Sequence, residues 1–212
     1  MQVSLGQQAA SRSRIVRELT HLRSQGPYRV LDLGGQPGGW SDSVVDLYVN
    51  TNWPDSDRVL SRDLCLDSTW HALDQYVALH GVFDYCICTH TLEDLVYPFA
   101  LLDRLGLWAR SGFIAVPSLR TELSHPESTD YLGFCHHLWL IDADQNQLEF
   151  TPKLAVVNQV SALPFLRSVE ELQIAWHGGV AYTQIGARGW ESPQQVRDWL
   201  AVLAGRAGEQ QG

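Results

Sequence analysis

The sequence lacks a long hydrophobic run. Hydrophobic residues make up 45% of its 212 residues, yet no stretch reaches the ~18 consecutive apolar residues of a membrane-spanning helix. Residues 1–17 are polar and mixed in charge, without the apolar core of a secretory signal. We therefore expect neither a membrane-spanning segment nor a secretory leader.

Basic residues are also scarce. The chain has 15 lysines and arginines against 24 acidic residues, which gives a net charge of −9 with histidine neutral. The basic residues form no cluster, and an acidic protein has no general attraction for a phosphate backbone. The composition disfavours nucleic acid as a partner, although a small nucleotide-like ligand is compatible with it.

Cysteine is rare too, and no CxxC pair is present. The four cysteines are Cys65, Cys86, Cys88 and Cys135. Cys86 and Cys88 lie two apart in a strand-like run, so their side chains should face the same side of a sheet. They are too close in sequence for a disulfide framework, so a reducing compartment is the simplest explanation. We expect a cytoplasmic protein.

What the first half does contain is an alternation of helical patterns with short apolar runs. Helices are predicted over residues 11–24, 69–79 and 99–109, and strands over 28–33, 44–49, 59–64, 83–88 and 113–116. This order is typical of a parallel sheet with helical crossovers. A chain of this length without repeats buries one sizeable core, so we expect one domain over 1–204 and a flexible tail over 205–212.

The second half favours antiparallel hairpins. The runs 138–142 and 147–151 flank a polar turn, and the runs 171–177 and 180–185 flank Gly178-Gly179. Two glycines between strand-like runs are a hairpin signal. Ser192-Pro193 then predicts the start of a last helix that extends through Leu203.

A glycine-rich turn follows the first predicted strand, in the run VLDLGGQPGG over residues 30–39. Such a turn lets the backbone approach a ligand closely and point N–H groups at it. The run resembles the first motif of class I S-adenosylmethionine-dependent methyltransferases. The resemblance implies that Gly34 and Gly35 seat the methionine part of the cofactor, and that Asp32 is a further cofactor-binding residue.

Two acids extend this resemblance. Asp46 stands where the family places an acid on the ribose hydroxyls, and Asp63-Leu64 resembles the motif that meets the adenine amine. A strand-end cap and a surface acid are the structural alternatives. About ten residues separate the glycine turn from Asp46, whereas a crossover with its helix normally needs ~10–12. The pattern therefore also fits a reshaped or lost cofactor pocket.

The run FDYCICTHTLEDL, residues 83–95, resembles the family's strand that leads into a turn rich in histidine and glutamate. The run GFIAVPS, residues 112–118, resembles its next strand. The match implies a Rossmann-like, doubly wound, mostly parallel sheet with C-terminal antiparallel hairpins. Ligands in such sheets bind at the carboxyl ends of the strands, which adds Thr89 to the candidate cofactor-binding residues.

A polar cluster follows that strand. Residues 117–122 and 131–139 resemble a poorly characterised branch of the family with HTLED and HH-x-W motifs, and the resemblance covers residues 28–155. The candidate catalytic residues are His90, Glu93, Glu122, His136 and His137.

These residue types remove protons from hydroxyl groups or bind metal ions. Either His136 or His137 would be the base, with Glu93 or Glu122 orienting it; alternatively, His90, Glu122, His136 and His137 are candidate ligands of a divalent ion. Adjacent histidines on a strand point to opposite faces, so both enter one cleft only from a loop. A structural role explains each single histidine equally well.

The resemblance implies transfer of a methyl group from S-adenosylmethionine to a small acceptor, with a hydroxyl of a sugar or nucleotide-sugar as the first choice. The alternatives are a metal-assisted hydrolase or lyase that has lost the cofactor site, and a non-catalytic scaffold. The expected partners are a small-molecule acceptor but neither nucleic acid nor membrane. A divalent metal ion is an alternative cofactor, and a dimer is compatible with the pattern.

Overall fold

The computed structural model describes residues 1–35, 43–46, 59–61, 63–124, 130–155, 157, 170–186 and 192–209. Its helices are α1 (Gln8–Gln25), α2 (Asp67–His80), α3 (Phe99–Trp108), α4 (Leu119–Glu122) and α5 (Pro193–Glu209). Its strands are β1 (Gln2–Gln7), β2 (Val30–Leu33), β3 (Ser43–Asp46), β4 (Val59–Ser61), β5 (Phe83–Thr89), β6 (Ala109–Pro117), β7 (Trp139–Asp144), β8 (Gln147–Pro152), β9 (Glu170–His177) and β10 (Tyr182–Gln184). Residues 36–39 of the glycine-rich turn, 47–49 of the second predicted strand and 210–212 of the predicted tail lie outside the described residues.

The central sheet has the strand order β4-β3-β2-β5-β6-β9-β1. The strands from β4 to β6 pair in parallel, whereas β9 runs antiparallel to both β6 and β1. A mixed α/β architecture around a central sheet is therefore confirmed, and the sheet as a whole has mixed strand orientation. Residues 34–42 connect β2 to its parallel neighbour β3, which is shorter than the dozen or so residues of a usual crossover.

Helices cover both faces of this sheet. On one face, Ile15 and Leu19 of α1 pack with Val30, Ile87 and Phe113. On the other face, α2 and α3 cover the alternate residues of the same strands. The buried cluster there includes Leu31, Leu33, Leu73, Cys86, Cys88, Leu101 and Ile114. Cys86 and Cys88 thus share a face, as predicted. Among the described helices, none is long and apolar enough to cross a membrane.

Strand β1 was missed by the sequence analysis, which described the N-terminus only as polar. It lies at the edge of the sheet and pairs with β9, with Val3 opposite Ile174. Its residues are half-buried or exposed, so it lacks the apolar run of a central strand. The stabilising backbone pairing comes from a strand that is distant in the sequence.

One of the two predicted hairpins is confirmed. Strands β7 and β8 pair antiparallel, with Asp144 opposite Gln147 across the turn. The second prediction is wrong because the strands on either side of Gly178-Gly179 belong to different sheets. Strand β9 joins the central sheet, while β10 pairs in parallel with β8 in a separate sheet of three strands. The alternating apolar residues of β9 pack on the main core, which favours its pairing there.

Two predicted boundaries also need correction. The strand predicted over 113–116 begins earlier, at Ala109, so Ser111-Gly112 lies inside β6. A Cβ atom on Gly112 would lie 2.5 Å from the indole of Trp176, so this glycine permits close packing between strands. The last helix continues past Gly205 to Glu209, because Ala207 is buried against Leu119 and its neighbours.

Candidate functional site

A cleft of about 500 Å³ opens where β2 and β5 end. These two strands are parallel neighbours. The chain continues from β2 to β3 on one side and from β5 to β6 on the other, so the two connections run in opposite directions along the strand order. The cleft brings together the predicted residues Gly34, Asp63, Leu64, His90 and His136. Its other lining residues are Cys65, Thr91, Asp94, Leu95 and Val96. The volume lies within the range of about 300–1,000 Å³ that is usual for small-molecule sites.

The described part of the glycine turn, Gly34 and Gly35, packs closely against neighbouring residues of the chain. Gly34 has φ 77°, and its N–H donates to the carbonyl of Val45 at 2.7 Å. A Cβ atom there would lie 2.1 Å from the Oγ1 of Thr91, and one on Gly35 would lie 1.7 Å from the Oδ2 of Asp32. Both glycines are therefore needed for the turn itself, whatever ligand the cleft holds.

The predicted residues Asp32 and Thr89 lie outside the lining of this cleft. Asp32 is buried beneath the turn, with an oxygen 3.5 Å from the Arg12 guanidinium. The same guanidinium donates to the hydroxyl of Thr89. Thr89 lines a second cavity of about 520 Å³ beside α1, together with Arg12, His90 and Glu171. His90 contributes to the walls of both cavities.

Asp63 and Leu64 occupy the turn before α2. The Asp63 carboxylate accepts a hydrogen bond from the Cys65 N–H at 2.8 Å, and its carbonyl accepts one from the Thr69 hydroxyl at 2.6 Å. Leu64 is buried, and its carbonyl accepts from the Trp70 indole at 2.8 Å. Asp46 ends β3 opposite Ser61 of β4, and its side chain lies outside the described part of the structure.

His90 is held between two buried carboxylates. Its backbone is left-handed, with φ 51°, and its N–H donates to the carbonyl of Ala115 at 2.8 Å. Its ring places Nδ1 3.3 Å from Glu93 and Nε2 3.0 Å from Glu171. Burial lowers the pKa of His90, but the contacts and charges of Glu171 and Glu93 outweigh it and raise that pKa to about 9.

His90 is therefore mostly an imidazolium at neutral pH. An imidazolium has no free lone pair and cannot accept a proton, which argues against His90 as the general base. The charge also explains how Glu93 and Glu171, each 1% exposed, are tolerated in the interior, since buried carboxylates need a partner. Glu171 further accepts hydrogen bonds from the side chains of Ser11 and Gln173.

His137 belongs to a different chain of contacts. Its Nδ1 lies 2.6 Å from the Oε1 of Glu122, and the other oxygen of Glu122 accepts from the ammonium of Lys153. Lys153, the only lysine in the sequence, also donates to the carbonyl of Phe134 at 2.8 Å. Because Nδ1 faces a carboxylate, the neutral His137 ring carries its hydrogen there and keeps the lone pair on Nε2.

The Nε2 atoms of both adjacent histidines face Asp94. His137 Nε2 lies 3.7 Å from the Oδ1 of Asp94, and His136 Nε2 lies 3.9 Å from it. Both histidines lie in the loop before β7. His136 lines the cleft, whereas the buried ring of His137 reaches Asp94, which also lines it. The pKa of Asp94 is raised by burial and by Glu93, against the opposing effect of His137 and His136.

The structure thus divides the predicted catalytic residues into two groups. Glu93 supports His90, and Glu122 supports His137, while His136 lies at the cleft wall. Sequence reasoning missed Asp94, Lys153 and Glu171 as members of these groups. Asp94 lies within the HTLED run, so its motif was visible, but the contacts of Lys153 and Glu171 join residues 31 and 81 positions apart.

No family model matches the chain, and no curated protein matches it. Among solved structures, it is similar to the N-terminal domain of EvdMO1 with SAH bound, at 16% identity and a TM-score of 0.33, covering 94% of this chain and 72% of that one. It is also similar to that domain crystallised in the presence of SAH and D-fucose, at 14% identity and a TM-score of 0.34, covering 78% of this chain and 82% of that one.

Proposed function

We propose that this protein transfers a methyl group from S-adenosylmethionine to a hydroxyl of a small acceptor, with a sugar or nucleotide-sugar as the first choice. The observation that carries the proposal is the position of the cleft. Numbered along the chain, strands β2 to β6 have the spatial order 3-2-1-4-5, as in Rossmann-like, doubly wound sheets. Such sheets bind ligands at the carboxyl ends of the two neighbouring strands whose connections run in opposite directions. In this sheet those strands are β2 and β5, and the cleft lies at their ends.

The residues of the cleft fit the proposed cofactor. The backbone turn at Gly34 forms one wall, where the resemblance puts the methionine part. Asp63, Leu64, Leu95 and Val96 line another part. An acid beside an apolar surface suits a purine ring with a donor amine. S-adenosylmethionine supplies the electrophilic methyl group, and the chain supplies its binding and alignment.

The acceptor hydroxyl is activated at the side of the cleft lined by Asp94 and His136, where Asp94 also contacts the buried His137. Methyl transfer to oxygen becomes easier as the hydroxyl loses its proton. Glu122 orients His137 so that the lone pair of Nε2 faces this side, where it is available to a proton or a metal ion. His90 contributes a fixed positive charge between the two cavities.

Calorimetric titration of the metal-stripped protein with S-adenosylmethionine and S-adenosylhomocysteine tests the proposal. We expect micromolar binding, about −8 kcal/mol, which D46N and D63N each weaken by at least ~10-fold, or about 1.4 kcal/mol. D63N keeps an oxygen that can accept from the Cys65 N–H, so its fold should persist. The matched control is D67N, because Asp67 is exposed. Failure of both ligands to bind would refute the cofactor site.

A metal-assisted hydrolase or lyase is the second candidate. The nine-residue connection over 34–42 favours it, because a short connection leaves less chain to enclose a nucleoside. The group Asp94, His136 and His137 would then be the whole catalytic centre. This candidate predicts that the metal-stripped protein binds a divalent ion but neither S-adenosylmethionine nor S-adenosylhomocysteine.

A further inference from the structure

We infer that Asp94, His136 and His137 bind a divalent transition-metal ion at the edge of the cleft. One ligand atom from each side chain lies within 4.8 Å of the other two. The binding of the ion stands on this geometry alone, whereas its role in activating an acceptor hydroxyl rests on the proposed function.

The three side chains need only a small adjustment to coordinate one ion. The distances from Asp94 Oδ1 to the two Nε2 atoms are 3.7 and 3.9 Å. With metal–nitrogen bonds of about 2.0–2.1 Å, ligand atoms of a tetrahedral site lie roughly 3.4 Å apart. The side chains of Asp94 and His136 are 42% and 58% exposed, so rotation about their side-chain bonds can close the remaining distance.

The surroundings of His137 resemble those of metal-bound histidines. Its ring is 6% exposed, and its Nδ1 is fixed by Glu122 at 2.6 Å. A carboxylate on the far nitrogen sets the tautomer, orients the ring and makes the ligating nitrogen more basic. The ring of Phe134 packs against His137, with centroids 4.8 Å apart. His137 is therefore oriented before an ion arrives.

Lys153 keeps this arrangement electrically balanced. Its ammonium neutralises Glu122, so the carboxylate can orient His137 without leaving an unpaired buried charge. The ion then interacts directly with one carboxylate, that of Asp94, and with two imidazoles. This donor set suits zinc, cobalt, nickel or ferrous iron better than magnesium or calcium, which prefer oxygen ligands.

The ion would bind oxygen ligands from the cleft. Three protein ligands on one side leave coordination positions open to a substrate, and Asp94 and His136 line the cleft. Two neighbouring hydroxyl groups, as on a sugar ring, are the substrate class that fits such open positions. Coordination favours the deprotonated hydroxyl, which then attacks the methyl carbon as the bond from that carbon to sulfur breaks. The proton passes to solvent.

Cobalt titration of the metal-stripped protein tests the site without any substrate. We expect visible absorption to saturate at about one Co²⁺ per chain and to be abolished by Zn²⁺. H136A and D94N should each weaken Zn²⁺ binding by at least ~10-fold, since even orienting partners of a ligand are worth 10- to 100-fold. The matched control is H71A, because His71 is exposed and lies elsewhere, on α2; this variant should bind as the parent does.

Two results would overturn the metal site: absence of saturable Co²⁺ absorption, or equal loss of binding in H71A and H136A. Circular dichroism confirms that each variant is folded. Titration with S-adenosylmethionine in the presence of EDTA tests the proposed function separately. Cofactor binding without Co²⁺ binding refutes only the ion, and Co²⁺ binding without cofactor binding refutes the methyl transfer while keeping the ion.

Discussion

The two histidine clusters are built from the same residue types but differ in which side chain supplies the positive charge beside the buried carboxylates. His90 lies between the carboxylates of Glu93 and Glu171, so two negative charges share one titratable ring. His137 contacts the carboxylate of Glu122, which already pairs with Lys153. The first cluster needs a cation and takes it from the imidazole, while the second obtains its cation from an ammonium.

This difference assigns separate tasks to the two histidines. The His90 imidazolium holds together the ends of β5 and β9, because its carboxylate partners lie just after one strand and within the other. The Nε2 of His137 faces Asp94, which lines the cleft. The number of charged partners around a ring, more than its place in a motif, decides whether a histidine is structural or reactive.

The largest expected effect comes from removing the ammonium of the second cluster. K153M leaves Glu122 buried without its cation, and breaking a buried pair in this way costs about 3–5 kcal/mol. We expect the free energy of unfolding, measured by urea denaturation at pH 7, to fall by that amount.

The control for this variant is R110M. Arg110 pairs with Asp84, but its side chain is 64% exposed, and exposed pairs contribute about 0–1 kcal/mol. If K153M and R110M cost equally little, Glu122 has another source of compensation, and the contrast between the clusters fails.

The next effect concerns the pH dependence of the first cluster. The folded pKa of His90 is about 9, above the ordinary 6.5, so its stabilisation is fully present below pH 6.5 and is lost as the pH rises through 9. One pKa unit is worth about 1.4 kcal/mol, so the whole effect is about 3 kcal/mol. Relative to H90N, the parent should lose about that much stability between pH 6 and pH 9.

The variant is chosen to preserve the backbone. His90 has φ 51°, and asparagine tolerates the left-handed region better than most residues. His90 contacts Glu93 and Glu171, and it shares the second cavity with Arg12 and the cleft with Asp63 and Asp94. H71N is the control, and a pH profile of the parent that parallels those of both variants would show that His90 is not a buried cation.

Local periodicity accounts for the parts of the fold that sequence predicted. Short apolar runs in β2, β5 and β6 produce buried strands with two covered faces, and their alternation with helical patterns along the chain predicts parallel pairing. Strand β1 forms by pairing with β9, which lies more than 160 residues later in the chain. No local pattern contains that information, which is why β1 was missed and a hairpin was predicted at Gly178-Gly179.

The same distinction applies to the site. The histidines and acids of the HTLED and HH-x-W motifs could be selected from sequence because their spacing is local. Their division into two clusters could not, because it depends on the distant partners Glu171 and Lys153. The polar character of the cleft was therefore predictable, whereas the charged partners of each histidine required the three-dimensional arrangement.

The smallest expected effect isolates one of the two carboxylates of the first cluster. In E171Q, the introduced amide can still accept from Ser11 and Gln173, and its NH₂ group can donate to the Nε2 of a neutral His90. Loss of one negative charge should lower the pKa of His90 by at least about one unit, or 1.4 kcal/mol. Histidine NMR titration measures this pKa, and E170Q, at the neighbouring acid that pairs with Arg120, is the control. A pKa that stays near 9 in E171Q would mean that Glu93 alone holds the proton, and the first cluster would then resemble the second, with one carboxylate for one cation.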